Sequence, residues 1–233
     1  SLKKLEYRGY DSAGIATLLD GKINEVKCEG RVKALESNIS KIKMLGTIGI
    51  GHVRWATHGV PSTLNAHPHS SEIVSVVHNG IIENSNLLKK NLEKEGYKFK
   101  SQTDTEVITL LITKYLKNSN PVDAVLKSLE YLEGSFALGI LFKDKADIII
   151  GARRGSPLAV GYSKNENYLG SDSYALKAMT NKISYLDDGE ICVLTKDSVE
   201  YFDSSKNKIN KKILVLSEDK NEARLGDYKN FMS

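Results

Sequence analysis

Cysteine, proline, tryptophan and arginine are all scarce in this chain, and each scarcity closes off a class of protein. The two cysteines, Cys28 and Cys192, are too few and too far apart for a disulfide framework or a CxxC metal site, and they fit a reducing compartment. Four prolines and 18 glycines spread over 233 residues exclude collagen-like and low-complexity chains. No apolar run approaches the roughly 18 to 20 residues that span a membrane. The opening SLKKLEYRGYD has no apolar signal region, so the chain either stays in the cytoplasm or has lost its true start. Charge of one sign is lacking too. The 33 basic and 29 acidic residues leave a net +4, mixed along the length without the basic block that nucleic acids prefer. Neither nucleic acid nor a membrane is an expected partner.

Arginine is the more informative shortage. Six arginines stand against 27 lysines, and two of the six, Arg8 and Arg54, fall in the densest motifs of the chain. A guanidinium offers a planar, two-pronged donor that lysine cannot replace.

What is present predicts a folded α+β protein with one sizeable core. Residues 13–28 read as two strands around an Asp20-Gly21 turn, and 31–42 carry a helical stripe of Val32, Leu35, Ile39 and Ile42. Two β-branched stretches, 47–53 and 73–78, flank a polar loop holding Pro61, Pro68 and three histidines. Asn84 is expected to cap a helix to Glu95 with Leu87, Leu88 and Leu92 inward, closed by Gly96. Thr103 and Glu106 have capping-box spacing ahead of a helix to Leu116, and Pro121 introduces a third helix over 123–132. Short strands follow at 136–142, 148–152, 158–161 and 168–170. A short helix at 174–179 then precedes strands at 189–194, 199–202 and 213–216. Grouped strands with helices outside them predict sheets packed face to face, without a place to cut the chain into two domains.

All five histidines, His52, His58, His67, His69 and His78, lie within 27 residues, so something polar is assembled there. His67 and His69 with Asp104 are one arrangement for a metal, since imidazole and carboxylate suit zinc or iron, although no HExxH spacing is present. Histidines that satisfy loop hydrogen bonds are the other. A dinucleotide loop is excluded, because Gly49 and Gly51 lack the third glycine and the following helix.

The motifs YRGYDSAG (7–14), GHVRWATHG (51–59), NAHPH (65–69), HNGIIEN (78–84) and SQTDTEVI (101–108) occur in that order. GSFALGILF, RRGSPLAVGY, SDSYAL and DDGEI follow. Together they resemble, over essentially the whole chain, the glutaminase domain of the isomerizing glutamine-fructose-6-phosphate aminotransferases, or glucosamine-6-phosphate synthases, within the class II glutamine amidotransferases. The resemblance implies an N-terminal-nucleophile hydrolase fold, a four-layer αββα sandwich. It implies hydrolysis of glutamine to glutamate and ammonia, with the ammonia delivered to a sugar-phosphate isomerase domain acting on fructose-6-phosphate. No cofactor and no metal are implied, and a homodimer would form through the isomerase domain.

The family's nucleophile is a mature N-terminal cysteine whose free α-amine is its base, and the resemblance implies that about 18 residues, that cysteine among them, precede Ser1. Leu2 and Leu5 at helical spacing set Ser1 in an amphipathic turn rather than at a nucleophile position. Cys28 and Cys192 read as core thiols. Residues 1–233 are thus expected to be a glutaminase domain without its nucleophile or its isomerase domain, and an inactive glutamine- or glutamate-binding fragment is the alternative. The ending GDYKNFMS resembles the approach to a linker.

Carried across by position, Arg54 would clamp the substrate carboxylate, or else be a surface ion pair. Asp104 would hold the α-ammonium, or else compensate its helix N-terminus. Asn79 and the Gly80 amide would form an oxyanion hole, or else Asn79-Gly80 is a hairpin turn. Trp55 would close over the ammonia route, or else pack in the core. Thr57, His58 and His67 would be further substrate contacts, and Arg8 would stand beside the nucleophile.

Overall fold

Asp20 and Gly21 close the first hairpin with φ of 50° and 69°, the left-handed pair that a two-residue turn between twisted strands requires. We describe the chain from a computed structural model, which covers residues 2–42, 44–145 and 147–216 and, of Arg8, the backbone alone. Ser1 and the closing GDYKNFMS lie outside the described residues.

Helix α1 (Leu2–Leu5) and a 3-10 turn (Glu6–Arg8) lead into β1 (Ser12–Leu19) and β2 (Lys22–Glu29). Then come α2 (Val32–Ile42), β3 (Ile48–Arg54), β4 (His69–Ser70), β5 (Val74–Ile82), α3 (Ser85–Lys94), α4 (Thr105–Leu116) and α5 (Pro121–Leu129). The second half holds β6 (Gly134–Phe142), β7 (Ile149–Arg154), β8 (Ala159–Ser163), β9 (Glu166–Gly170), α6 (Ser173–Leu176), β10 (Lys182–Tyr185), β11 (Ile191–Leu194), β12 (Val199–Phe202), β13 (Lys208–Ile209) and β14 (Leu214–Val215).

Strands β13-β12-β11-β7-β6-β5-β4 form a seven-stranded antiparallel sheet. Its interior strand β6 shows why it is covered on both faces. Phe136, Leu138, Ile140 and Phe142 point one way, into a core shared with Leu92, Ile108, Ile112 and Val125 of α3, α4 and α5. The alternate residues Ala137 and Leu141 point the other way, against Val160 and Ile50 of two smaller sheets. Full burial of each large side chain in such a strand contributes about 1.5 to 3 kcal/mol. The smaller sheets, β2-β1-β3 and β14-β10-β8-β9, are covered outside by α2, through Val32 and Leu35 on Ala13 and Val26, and by α6, through Leu176 on Ala159 and Ile183. The layers are therefore helix, sheet, sheet, helix. One of the two inner layers is in two pieces, and between its facing ends, β3 and β9, lies an apolar cavity of about 530 Å³ that follows β3 from Gly46 to Val53.

Several local expectations need correction. Strand β5 runs through Asn79 and Gly80 to Ile82, pairing Asn79 with Ala137 and Gly80 with Phe136, so these residues make no hairpin turn. Thr103 and Glu106 form no capping box. Instead Thr103 bonds His69, and the Glu106 carboxylate takes the amides of Lys100 and Ser101 at 2.8 and 2.6 Å. Asn84 stands before α3 without a side-chain cap bond; its amide instead joins Tyr131 and Glu133. Leu87 is 60% exposed rather than inward.

Candidate active site

The end of β3, the loop before β4, the middle of β5 and the start of α4 converge on a cavity of about 300 Å³. Arg54, Trp55, Thr57, His67, Asn79, Gly80 and Asp104 all line it, together with His52, His78, Thr103 and Thr105. His58 does not; its backbone carbonyl accepts from Arg54 Nη2, and its ring Nδ1 lies 3.3 Å from Thr57 Oγ1. Arg8 belongs to the turn before β1, and its side chain lies outside the described residues.

Arg54 is only 3% exposed, which removes the surface ion pair. Its Nη1 faces Asp11 Oδ1 at 3.6 Å, and Nη2 reaches the loop carbonyls of His58 and Gly59. Nη1 and Asp11 Oδ2 are both buried without a hydrogen-bond partner, so part of the guanidinium fork is held and part is open. Burial pulls the Arg54 pKa down, while Asp11 and Asp104 oppose the shift. The loop is fixed by Asn65, whose amide donates to Val60 and Gln102 while its oxygen accepts from the Gln102 amide. Gly59 turns there with φ of 75°, and a Cβ would meet Asn65 Nδ2 at 2.7 Å.

Asp104 is 7% exposed, and its Oδ2 accepts from the backbone amide of Ile82 at 2.8 Å. It stands at the N-cap of α4 but makes no side-chain cap bond, so hydrogen-bonded capping is not its task. Gly80 has φ of 131°, and a Cβ would lie 2.0 Å from the Ser135 carbonyl oxygen. Only glycine fits there. Trp55 is 52% exposed and meets Tyr10 edge to face at 5.8 Å, so it stands at the mouth and not in the core.

The histidines form a neutral wall. His67 Nε2 and His78 Nδ1 bond the same hydroxyl, Thr105 Oγ1, at 2.8 and 3.0 Å. His69 Nε2 bonds Thr103 Oγ1 at 2.9 Å, and His52 Nε2 bonds Asn79 Oδ1 at 2.8 Å. Burial, the largest cause in each case, lowers all four pKa values: His52 to about 4, His69 to about 3, and His67 and His78 downward as well. His67 Nε2 and His69 Nε2 are engaged by threonines, while His67 Nδ1, His78 Nε2 and His52 Nδ1 are buried without a partner, and no His, Cys, Asp and Glu set among the described residues is grouped to hold an ion. Thr105 and Asp11 escaped the sequence reading, as did particular roles for His52 and His78. Only their place within named motifs signalled them.

The two cysteines lie elsewhere. Cys28 is buried on β2 beneath α2 with its pKa raised by burial, and Cys192 is fully buried on β11 with its pKa pushed up to about 12.

Residues 54–178 match the glutamine amidotransferase domain family, more than half of the chain. The chain belongs to that family. Among relatives of this amidotransferase domain, the glutamine-fructose-6-phosphate aminotransferase (isomerizing) of Mesorhizobium japonicum is 52% identical over 213 residues, which is 91% of this chain and 35% of that protein. The namesake from Clostridium acetobutylicum is 49% identical over 233 residues, 99% of this chain and 38% of that protein. The domain thus spans well under half the length of these relatives. Among solved structures, the B. subtilis glutamine phosphoribosylpyrophosphate amidotransferase, complexed with ADP and GMP, superposes with a TM-score of 0.72 at 28% identity, covering 89% of this chain and 46% of that one. A class-II glutamine aminotransferase domain protein from Silicibacter pomeroyi, at 14% identity and a TM-score of 0.61 over 83% of this chain and 91% of that one, shares the fold. The layered α+β architecture of the amidotransferase domain is accordingly of the N-terminal-nucleophile hydrolase type. No helix among its described residues is long and apolar enough to cross a membrane.

Proposed function

We propose that this domain hydrolyses the side-chain amide of L-glutamine to L-glutamate and ammonia. The observation that carries the reading is the convergence of Arg54, Asp104 and Asn79 on one cavity. A cation, an anion and an amide donor are the complements of an amino acid's carboxylate, its ammonium and the oxyanion formed at its side chain. In this reading the part of the Arg54 fork not held by the loop takes the carboxylate, Asp104 takes the ammonium, and Thr57 and His67 line the remaining wall. Asn79, with the Gly80 amide beside it, donates to the tetrahedral oxygen.

The nucleophile is a cysteine on a segment preceding Ser1. Support comes from the 530 Å³ cavity, which lies between the edge strands β3 and β9, runs beside residues 46–53 for the length of about eight extended residues, and shares His52, Val53, His78 and Asn79 with the substrate cavity. A strand laid there brings its tip to Asn79. Its α-amine, with a pKa of about 8, takes the thiol proton at neutral pH. The thiolate attacks the side-chain carbonyl carbon, ammonia leaves with that proton, and water hydrolyses the thioester.

The ammonia passes beneath Trp55 to an isomerase domain of the same polypeptide, which makes glucosamine-6-phosphate from fructose-6-phosphate and carries the dimer contact. The names and greater length of the relatives support this step. The free, buried thiols agree with a reducing cytoplasm. The test is glutamate release from glutamine by two forms, one carrying the cysteine-bearing segment and one beginning at Ser1. Turnover is expected from the first and glutamine or glutamate binding without turnover from the second; equal release from both would refute the nucleophile assignment.

A further inference from the structure

We propose that His52 is a positioning residue for the reaction: it orients the Asn79 carboxamide so that the nitrogen end, and not the oxygen end, faces the reacting carbonyl. The proposal rests on the reading of Asn79 as an oxyanion donor and adds the group that makes it one.

A terminal carboxamide turns about a broad, two-fold torsion, and its two ends have opposite chemistry. With Nδ2 toward the cavity the group stabilises a developing oxyanion; with Oδ1 there it repels one. Something must choose. His52 Nε2 lies 2.8 Å from Asn79 Oδ1, a contact that requires the proton on Nε2 and makes the ring the donor. The two N–H bonds of Nδ2 then point away from the ring, and none of the described residues takes them.

The ring is well suited to hold that choice. His52 sits on β3 and Asn79 on β5, strands of different sheets, so the bond spans the two inner layers and both partners are fixed by their own ladders. His52 packs on His67 with centroids 4.4 Å apart, which limits its tilt. Its Nδ1 is buried without a hydrogen-bond partner. Burial also keeps the imidazole neutral, with its pKa near 4, and the bond to Asn79 Oδ1 holds its single proton on Nε2.

The experiment compares His52→Leu, His52→Gln and Asn79→Ala, alone and combined, in the full-length enzyme with glutamine as substrate. Glutamine places an N–H donor near the site of Nε2, whereas leucine cannot donate. His52→Leu is expected to lower kcat by about tenfold or more with KM changed less than about twofold, the signature of a lost transition-state contact. His52→Gln is expected to recover most of that loss. In an Asn79→Ala background, His52→Leu should cost less than about twofold, because the group it orients is gone. Equal slowing by His52→Leu and His52→Gln, or full additivity with Asn79→Ala, would overturn the positioning role. If His52→Leu does not fold, the Gln variant with and without Asn79→Ala still decides. A normal kcat for Asn79→Ala alone would be a different failure, removing the oxyanion assignment beneath the proposal.

Discussion

The carboxylate of Asp104 is held by the backbone amide of Ile82, 2.8 Å away, which ties the start of α4 to the end of β5. One oxygen is thereby fixed by the scaffold and the other is left to the cavity. Asp104→Asn keeps an oxygen for the Ile82 amide and removes the charge. KM for glutamine is expected to rise about 10- to 100-fold, the scale of a hydrogen bond to a charged group, with a smaller fall in kcat. Loss of thermal stability with unchanged kinetics would show that the residue serves the helix and not the substrate.

Arg54→Lys preserves the charge but not the fork. Glutamine binding should weaken by about 1.5 to 3 kcal/mol. An ammonium cannot reach the carboxylate, Asp11 and the loop carbonyls of His58 and Gly59 together. Steady-state kinetics reads this directly, and unchanged KM and kcat would remove Arg54 from the substrate.

Asn79→Ala separates catalysis from binding. Loss of one oxyanion donor should lower kcat by about 100- to 1,000-fold and leave KM nearly unchanged. The measurement is made below the melting temperature of the variant, where a normal kcat would contradict the assignment.

The histidine wall predicts acid sensitivity. His52 and His69 have folded pKa values near 4 and 3, below the ordinary 6.5, so between these limits the unfolded chain binds protons that the folded chain refuses. Their contribution to stability is complete above about pH 6.5 and falls as the pH drops toward 4. The melting temperature should decline from about pH 7 to about pH 5, and less steeply in His69→Gln, which keeps a bond to Thr103. A melting temperature constant across that interval would contradict the lowered values.

Features set by neighbouring residues were legible in the sequence, and those set by distant ones were not. The Asp20-Gly21 hairpin and the α2 stripe followed from local turn chemistry and periodicity. Asn79-Gly80 has the composition of a turn, yet both pair with β6 inside β5, and glycine is required there because a Cβ would strike the Ser135 carbonyl. Thr103 has the spacing of a cap, yet its hydroxyl goes to His69, 34 residues away. The site residues Arg54, Asp104 and Asn79 were reached through motif resemblance. The His52–Asn79 and Thr105 contacts join separate elements, and no spacing rule announces them.

Thr105 carries one hydroxyl proton, and two imidazole nitrogens lean on that oxygen. That oxygen has one proton to give and two lone pairs to receive with, so at most one of the two rings can meet it with a lone pair and the other must bring an N–H. The tautomers of His67 and His78 are therefore not independent: the one state the shared oxygen forbids is a lone pair from both rings. Substitution of Thr105 by valine would lift that constraint on this side of the substrate cavity without touching a charged residue.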